Sequence, residues 1–505
     1  MTPRPDPALC AALRGDLLDA GYTAAAVREL WGPLADDAIG HGLARPALAA
    51  LGARTDALAV LARLLFLGVA SPVAEVDAAL PRTRAAGMVA LGLAGLEETA
   101  VRPTATIRPQ EAGTETGSVQ WWIAADPDEA VVGGPLPVGH VLGVGGASLT
   151  LAGLQLARPV ARVLDVGTGC GIQALHARLA APEVVATDVS MRALEYTRLN
   201  ALLNDLDGIE TRHGSLFEPV AGERFDRVVS NPPFVITPRA AGVPAYEYRD
   251  GGLAGDDLVA AFVHGVGDVL APGGTAQLLG NWEYRADADG LDRVRGWVAD
   301  ASAPLDAWIV EREVLDPLAY AELWVRDGGT APGTAGYADL VGAWLDDFAA
   351  RGVTAIGFGY VLLRRPAHGL PTLARYERLT RPVPEGLGIH LAAALAAHDT
   401  LAELDDERLA ASVLVVAADV TEARHHLPGA EAPSVIELRQ GGGFGRVVEV
   451  DPALAALVGA CDGDLAVGPL VDAIADLLEV DAVALRADVL PRVRELLFTG
   501  FLAFA

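Results

Sequence analysis

The chain has 505 residues, room for about three or four domains at roughly 100–200 residues each. Hydrophobic residues make up 51% and charged residues 21%, a globular composition that excludes a disordered chain. The 38 basic residues are all arginine and face 66 acidic ones, for a net charge of −28. That excludes a lysine nucleophile, a Schiff base and a P-loop lysine. It also disfavours a partner held through bare phosphate backbone.

Cys10, Cys170 and Cys461 lie far apart and form no CxxC pair, so neither a disulfide framework nor a cysteine zinc site is expected, and a reducing cytosol fits. The start, MTPRPDPALC, lacks the basic and apolar regions of a secretory signal. The most apolar stretch, 57–70, contains Arg63 and is shorter than the about 20 residues of a membrane span. A cytoplasmic protein without a membrane partner is expected.

Residues 7–98 read as helices, with apolar positions at helical spacing (Val27, Leu30, Leu34; Leu58, Leu61, Leu65) punctuated by Pro46, Pro72 and Pro81. A strand is expected at 101–110, a loop at 111–120 and a second strand at 121–126. On that strand Trp121 and Trp122 alternate faces, so at most one points to the core. The Gly-rich stretch 138–157 leads into a helix. From about 160, strand–helix alternation predicts a parallel sheet with covering helices. The strands are 161–167, 183–189, 225–233 and 275–282, with helices at 172–180, 190–204 and 256–270. Segments 306–314 and 356–365 read as closing strands, with a surface loop at 326–337 between them. The α/β unit is expected to end near 366. The remainder, 367–505, reads as a small α+β module of winged-helix type, with a helix at 489–497. The boundaries are therefore a helical domain 1–100, a β-rich connection 101–140, the α/β domain 141–366 and a C-terminal module 367–505.

The segment VLDVGTGCG places Asp165, Gly167, Thr168, Gly169 and Gly171 between a strand and a helix. Glycines there let backbone approach a ligand and turn tightly. The G-x-G-x-G spacing differs from that of a dinucleotide site. Asp165, at the strand end, can bind a cationic amino-acid head, directly or through water. Asp188 ends the next strand, where an acid accepts two hydrogen bonds from ribose hydroxyls. Its alternative role is a helix N-cap, for which Ser190 competes. A nucleoside with an amino-acid tail is S-adenosylmethionine (SAM).

The third strand of the unit ends in Ser230-Asn231-Pro232-Pro233-Phe234, beyond the carboxyl ends of the strands where ligands of open α/β sheets sit. The prolines hold a rigid backbone without N–H groups. The Asn231 side-chain oxygen and the Pro232 carbonyl can accept both hydrogens of one NH2 group, and Phe234 can stack on a planar group. Such a site suits methyl transfer to an amide or exocyclic amine nitrogen, driven by alignment rather than by a strong base.

The combination resembles class I SAM-dependent methyltransferases with an NPP[FY] motif. NPPFVITP is most similar to the HemK family of protein glutamine methyltransferases, and Arg249-Asp250-Gly251-Gly252 with Gly255-Asp256 resembles that family's segment after the catalytic loop. The resemblance covers about 140–366, with specific motifs within 163–282. It implies a Rossmann-like seven-stranded sheet. It also implies a cofactor set of Asp165, Gly167, Thr168, Gly169, Gly171, Asp188, Ser215, Leu216 and Asn231, and a catalytic set of Asn231, Pro232, Pro233 and Phe234. Ser215 departs from the pattern, standing where these enzymes usually carry an acid near the adenine; the Leu216 amide can still meet an adenine nitrogen.

Asn281 and Trp282 read first as buried packing and second as acceptor-pocket lining. Tyr246, Tyr248 and Arg249 suggest a substrate lid or a solvated loop. His425 and His426 lack a ligand pattern, so no metal site is expected. Gly441, Gly442 and Gly443 read as a hairpin turn. The expected activity is N-methylation of a protein side-chain amide. Alternatives are a ribosomal RNA or other nucleic-acid base, disfavoured by charge, a small-molecule acceptor, and a non-catalytic SAM-binding interaction protein. The oligomeric state is open.

Overall fold

The computed structural model describes residues 2–114, 117–132, 136–239, 243, 251–286, 288–334, 336–383 and 386–505. Two compact units emerge, one of residues 1–152 and 159–378, the other of 153–158 and 379–505.

The first unit begins with short helices from α1 (Pro7–Asp19) to Arg84–Ala90. Local chemistry starts several of them: Asp6, Thr23 and Asp56 each accept a hydrogen bond from a first-turn backbone N–H, as N-cap residues do. A hairpin follows, β1 (Thr106–Thr114) paired antiparallel with β2 (Gly117–Ala125). The expected loop at 111–120 is thus largely strand. The expectation that one tryptophan faces outward fails as well: Trp121 and Trp122 are both 3% exposed. The strand is covered on both sides. Trp121 meets His176 edge-on at 5.0 Å, and Trp122 Nε1 donates to the Tyr22 carbonyl at 2.7 Å.

The sheet comprises β3 (Arg162–Val166), β4 (Glu183–Asp188), β5 (Ile209–His213), β6 (Phe225–Ser230), β7 (Leu270–Arg285), β8 (Asp306–Leu315), β9 (Val353–Arg364) and β10 (Ala374–Arg378), in the order β10-β8-β9-β7-β6-β3-β4-β5. Strands β5, β4, β3, β6 and β7 run parallel, while β9 is antiparallel to both β7 and β8. Helices α2 (Gly146–Leu154), α3 (Ile172–Arg178), α4 (Met191–Leu203), α5 (Asp257–Val266), α6 (Gly290–Ala299), α7 (Pro317–Asp327) and α8 (Tyr337–Ala350) connect or precede the strands. This is a Rossmann-like α/β sheet with an eighth strand at one edge. Two expectations are corrected. Strand β5 lies at the opposite edge, so the NPPF turn follows the fourth strand in chain order. The sheet also runs past residue 366, because β10 pairs in parallel with β8.

The N-terminal helices share one core with the α/β fold. Leu13, Leu17 and Leu65 pack in the same buried cluster as Ile107, Trp122, Tyr196, Leu199 and Leu203. Two asparagines complete the join. Asn200 accepts from Ala124 N at 2.8 Å and donates to Ala124 O at 2.9 Å. Asn204 repeats the pattern on Trp122, at 2.8 and 2.9 Å. The side chains thereby satisfy strand backbone groups that burial would otherwise strand.

The second unit is α+β. Strands Val413–Val416, Asp462–Ala466 and Leu502–Phe504 form one antiparallel sheet, and Val420–His425, Val435–Gln440 and Val447–Val450 form another. Gly441 to Gly443 lie in the connection between the last two of these strands, as a hairpin turn requires. His425 Nε2 lies 3.3 Å from Glu437 on the neighbouring strand. The helix expected at 489–497 spans Ala482–Phe498, with Pro491 inside it. Among the described residues, no helix is long and apolar enough to cross a membrane.

Candidate active site

At the carboxyl ends of β3, β4 and β6 lies a cavity of about 470 Å³. Its wall brings together Gly167, Thr168 and Gly169 from the loop after β3, Asp188 from β4, Ser215 and Leu216 after β5, and Asn231, Pro232 and Pro233 after β6. Asp165 and Gly171 stand behind that wall. Phe234 is not among the described lining residues. Its half-buried ring meets Trp324 and Phe358 edge-on at 6.4 and 6.3 Å.

The glycine loop is built by backbone conformation and two carboxylates. Gly167 and Gly169 have φ of +73° and +56°, a region L side chains avoid. At Gly171, φ is +88° and an added Cβ would lie 3.0 Å from Thr197 Cγ2. Thr168 donates its hydroxyl hydrogen to Asp165 Oδ2 at 2.7 Å, and Gly169 N donates to Asp188 Oδ2 at 3.0 Å. Asp188 also accepts from Ser190 N at 2.8 Å. The helix cap falls to Ser190, whose side chain accepts from Ala193 N, which leaves Asp188 at the cavity wall.

Asp165 is fully buried, and its Oδ1 has no hydrogen-bond partner among the described residues. Burial pushes its carboxyl up to about 7; the Thr168 hydroxyl opposes this and the Asp188 charge adds to it. Leu216 has a φ of +46°, unusual for a leucine and the kind of backbone strain that collects at functional sites.

The NPPF turn is fastened to the glycine loop. Ser230 donates its hydroxyl hydrogen to the Val166 carbonyl at 2.8 Å. Asn231 Nδ2 lies 3.5 Å from Ser148 Oγ, while Asn231 Oδ1 is buried without a partner among the described residues. Asn281 and Trp282 prove to be packing. Asn281 Nδ2 donates to the Tyr320 hydroxyl at 2.7 Å, and Trp282 Nε1 donates to Glu311 at 2.7 Å. Tyr246, Tyr248, Arg249 and Asp250 lie outside the described residues, whereas Gly251 and Gly252 line the cavity. Behind them Asp256 is buried, held by Arg293 through two bonds of 2.7 Å.

The sequence reading missed the opposite wall, formed by His140, Val141, Leu142, Gly143 and Ser148. Asp126, just beyond β2, organises it. It accepts from Val141 N at 2.8 Å and from the Tyr196 hydroxyl at 2.8 Å, and it pairs with Arg192. Burial lowers the His140 pKa, partly offset by Asp126, so the imidazole is held neutral. A lone Asp before a Pro-rich stretch carries no sequence pattern; the only available signal was the Gly-rich approach to the core.

Residues 145–288 match the methyltransferase small domain. The flanking regions 19–104 and 393–504 match two domains of unknown function, DUF7059 and DUF7782. The release factor glutamine methyltransferase of Deinococcus radiodurans is 34% identical over 265 residues, covering 48% of this chain and 91% of that protein. The ribosomal protein uL3 glutamine methyltransferase of Bradyrhizobium diazoefficiens is 36% identical over 135 residues, covering 24% of this chain and 42% of that protein. Among solved structures, the ribosomal protein L11 methylase of Lactobacillus delbrueckii subsp. bulgaricus is 20% identical over 45% of this chain and 82% of its own, with a TM-score of 0.26.

The donor set fits SAM. A carboxylate stands at the wall where a ribose would present its hydroxyls. A second, buried carboxyl with an unpartnered oxygen lies behind the loop, and the partnerless amide oxygen belongs to Asn231 on the cavity wall. The chain is a SAM-dependent methyltransferase, and through its central domain it belongs to the HemK family of glutamine methyltransferases.

Proposed function

We propose that the enzyme methylates the side-chain amide nitrogen of a glutamine in a protein. The observation that carries this reading is Asn231 Oδ1, a buried acceptor without a partner at the wall of the cofactor cavity. A buried unsatisfied acceptor costs about 1–3 kcal/mol, and an incoming NH2 group removes that cost. The near neighbour Ser148 lies beside the Asn231 NH2 side, which leaves the oxygen for the acceptor.

Bound SAM supplies an electrophilic methyl group. The protein's part is orientation. Asn231 Oδ1 and the Pro232 carbonyl would each take one N–H of the amide and turn the nitrogen lone pair toward that methyl. Transfer would exchange the methyl's bond to sulfur for one to the amide nitrogen, with one N–H proton released to solvent. Amide nitrogen is poorly nucleophilic, so alignment and exclusion of water carry the rate. Relatives whose names specify release factor and ribosomal protein glutamines support a protein acceptor. The net charge of −28 weighs against RNA.

The test is incubation of soluble extract with methyl-labelled SAM, followed by protease or nuclease digestion in parallel. Label should become soluble with protease and yield N5-methylglutamine on full proteolytic digestion. Label released by nuclease instead would sink the reading.

A further inference from the structure

Strands β8 and β9 are antiparallel neighbours, and such neighbours can be joined by a two-residue turn. Here the connection carries two whole helices, α7 and α8. Their inward faces are strongly aromatic. Tyr320 on α7 lies 5.9 Å from both Trp344 and Phe348 of α8, and 5.7 Å from Phe358 of β9. Trp324 stacks on Phe358 at 6.5 Å and takes the edge of Phe234. The insertion therefore packs beneath the exit of the NPPF turn.

Within this cluster one polar atom stands out. The Tyr320 hydroxyl is fully buried and accepts two hydrogen bonds, from Ile236 N at 3.0 Å and from Asn281 Nδ2 at 2.7 Å. Ile236 lies two residues past Phe234. Asn281 belongs to β7, the strand beside β6. One oxygen thus fastens the chain leaving the catalytic turn to the sheet. Burial keeps the hydroxyl protonated, so its two lone pairs are the acceptors and the geometry does not change over the working pH range.

We infer that Tyr320 is a positioning residue for the methyl transfer: through Ile236 it fixes the NPPF turn, and hence Asn231 Oδ1, relative to the cofactor loop. The α7–α8 insertion is the scaffold that delivers it. This rests on the proposed role of Asn231. The turn has a fastening at each end, Ser230 on Val166 before it and Ile236 on Tyr320 after it, and prolines stiffen the residues between. Loss of the second fastening frees the turn to shift while its bond to the cofactor loop persists. Misplacement of reacting groups by about 1 Å can cost about 100-fold in rate.

The experiment compares wild type with Tyr320→Phe, which keeps the ring and its packing and removes the oxygen. The probes are methyl-labelled SAM with a fixed soluble protein extract as acceptor pool, calorimetric SAM binding, and amide hydrogen exchange of the peptide spanning 232–238. A Phe348→Leu variant, in the same aromatic cluster but without the hydrogen bonds, reports what loss of packing alone does. The expected result for Tyr320→Phe is a SAM Kd within about twofold, apparent kcat lower by about 10- to 100-fold, half-saturation nearly unchanged, and faster exchange at Ile236. Phe348→Leu should lower the melting temperature at least as much while keeping kcat. Unchanged turnover and exchange in a folded Tyr320→Phe protein would overturn the inference, as would equal losses of kcat in both variants. If wild type transfers no label to protein, it is the acceptor reading that fails, and Ile236 exchange still decides whether Tyr320 holds the turn.

Discussion

Asp165 couples the cofactor site to stability, and Asp165→Asn is the perturbation that exposes the coupling. Burial raises this carboxyl from an ordinary 3.8 to about 7. Below 3.8 it is protonated in both folded and unfolded chains. Between 3.8 and about 7 the unfolded chain releases the proton and the folded one keeps it, so stability falls as pH rises through this window and levels off above it. About three pH units at about 1.4 kcal/mol each give roughly 4 kcal/mol. The isosteric, neutral Asp165→Asn side chain lacks this term. Its stability should exceed that of wild type increasingly from pH 4 to pH 7, by up to that order, when both are melted without ligand. A SAM ammonium held beside Asp165, as the motif implies, would reverse the sign by favouring the ionised carboxylate, so binding to wild type near pH 7 should release a proton, seen as a calorimetric enthalpy that depends on buffer ionisation heat. Asp165→Asn should release none and bind more weakly by about tenfold. Parallel pH–stability curves for the two proteins, together with equal proton release, would refute the reasoning.

Three further outcomes follow from the same geometry. Asp188→Ala removes the charged acceptor proposed for the ribose, at about 1.5–3 kcal/mol for a hydrogen bond to a charged group, and should weaken SAM binding about 10- to 100-fold in calorimetry while the protein stays folded. Gly171→Ala forces a side chain into φ of +88° and within 3.0 Å of Thr197; a loss of about 1–3 kcal/mol is expected in urea unfolding, with a matching fall in SAM affinity. Asn200→Ala strands the Ala124 N–H that Asn200 now holds at 2.8 Å, so stability should drop by about 1–3 kcal/mol, with faster exchange of the β2 amides.

The cavity-forming segments were legible because their signals are local. VLDVGTGCG, the acid ending β4 and the NPP turn are each set by backbone demands of a few consecutive residues, and the fold places them around one cavity. What was not legible depends on distant partners. Strand β5, with the sequence IETRH, sits at the sheet edge half-exposed, so it lacks the apolar run that marked its neighbours. Strand β10, ARYER, is an edge strand of the same kind. Trp121 and Trp122 broke the alternation rule because a helical module covers the face that a lone hairpin would show to water. Helix Ala482–Phe498 begins before the expected 489–497 and carries Pro491 in its interior. The aromatic neighbours of Phe234, Trp324 and Phe358, come from elements far along the chain and leave no local signal.

The lysine-free composition gains a structural meaning from these long-range contacts. Asp256, Glu283, Asp306 and Glu311 are each at most 2% exposed, and every one is met by arginine: Arg293 on Asp256, Arg285 and Arg351 on Glu283, Arg364 on Asp306 and Arg378 on Glu311. Ionised groups at such depth are tolerated when paired and hydrogen-bonded. The planar guanidinium satisfies two oxygens at once, as Arg293 does on Asp256, where an ammonium acts as a point charge. Two of these carboxylates also hold backbone. Asp256 accepts from Glu283 N at 2.9 Å, and Asp306 accepts from Leu373 N at 2.9 Å, which brings the chain into β10. Arginine thus does two jobs that lysine does poorly. It neutralises an acid load concentrated along β7 and β8, and at Asp256 and Asp306 it holds the carboxylate in the orientation that captures neighbouring backbone. Replacement of Arg293 by lysine would retain the charge at Asp256 and lose the fork. These four buried acids are therefore matched by arginine and structural, unlike Asp165, which is buried without one among the described residues.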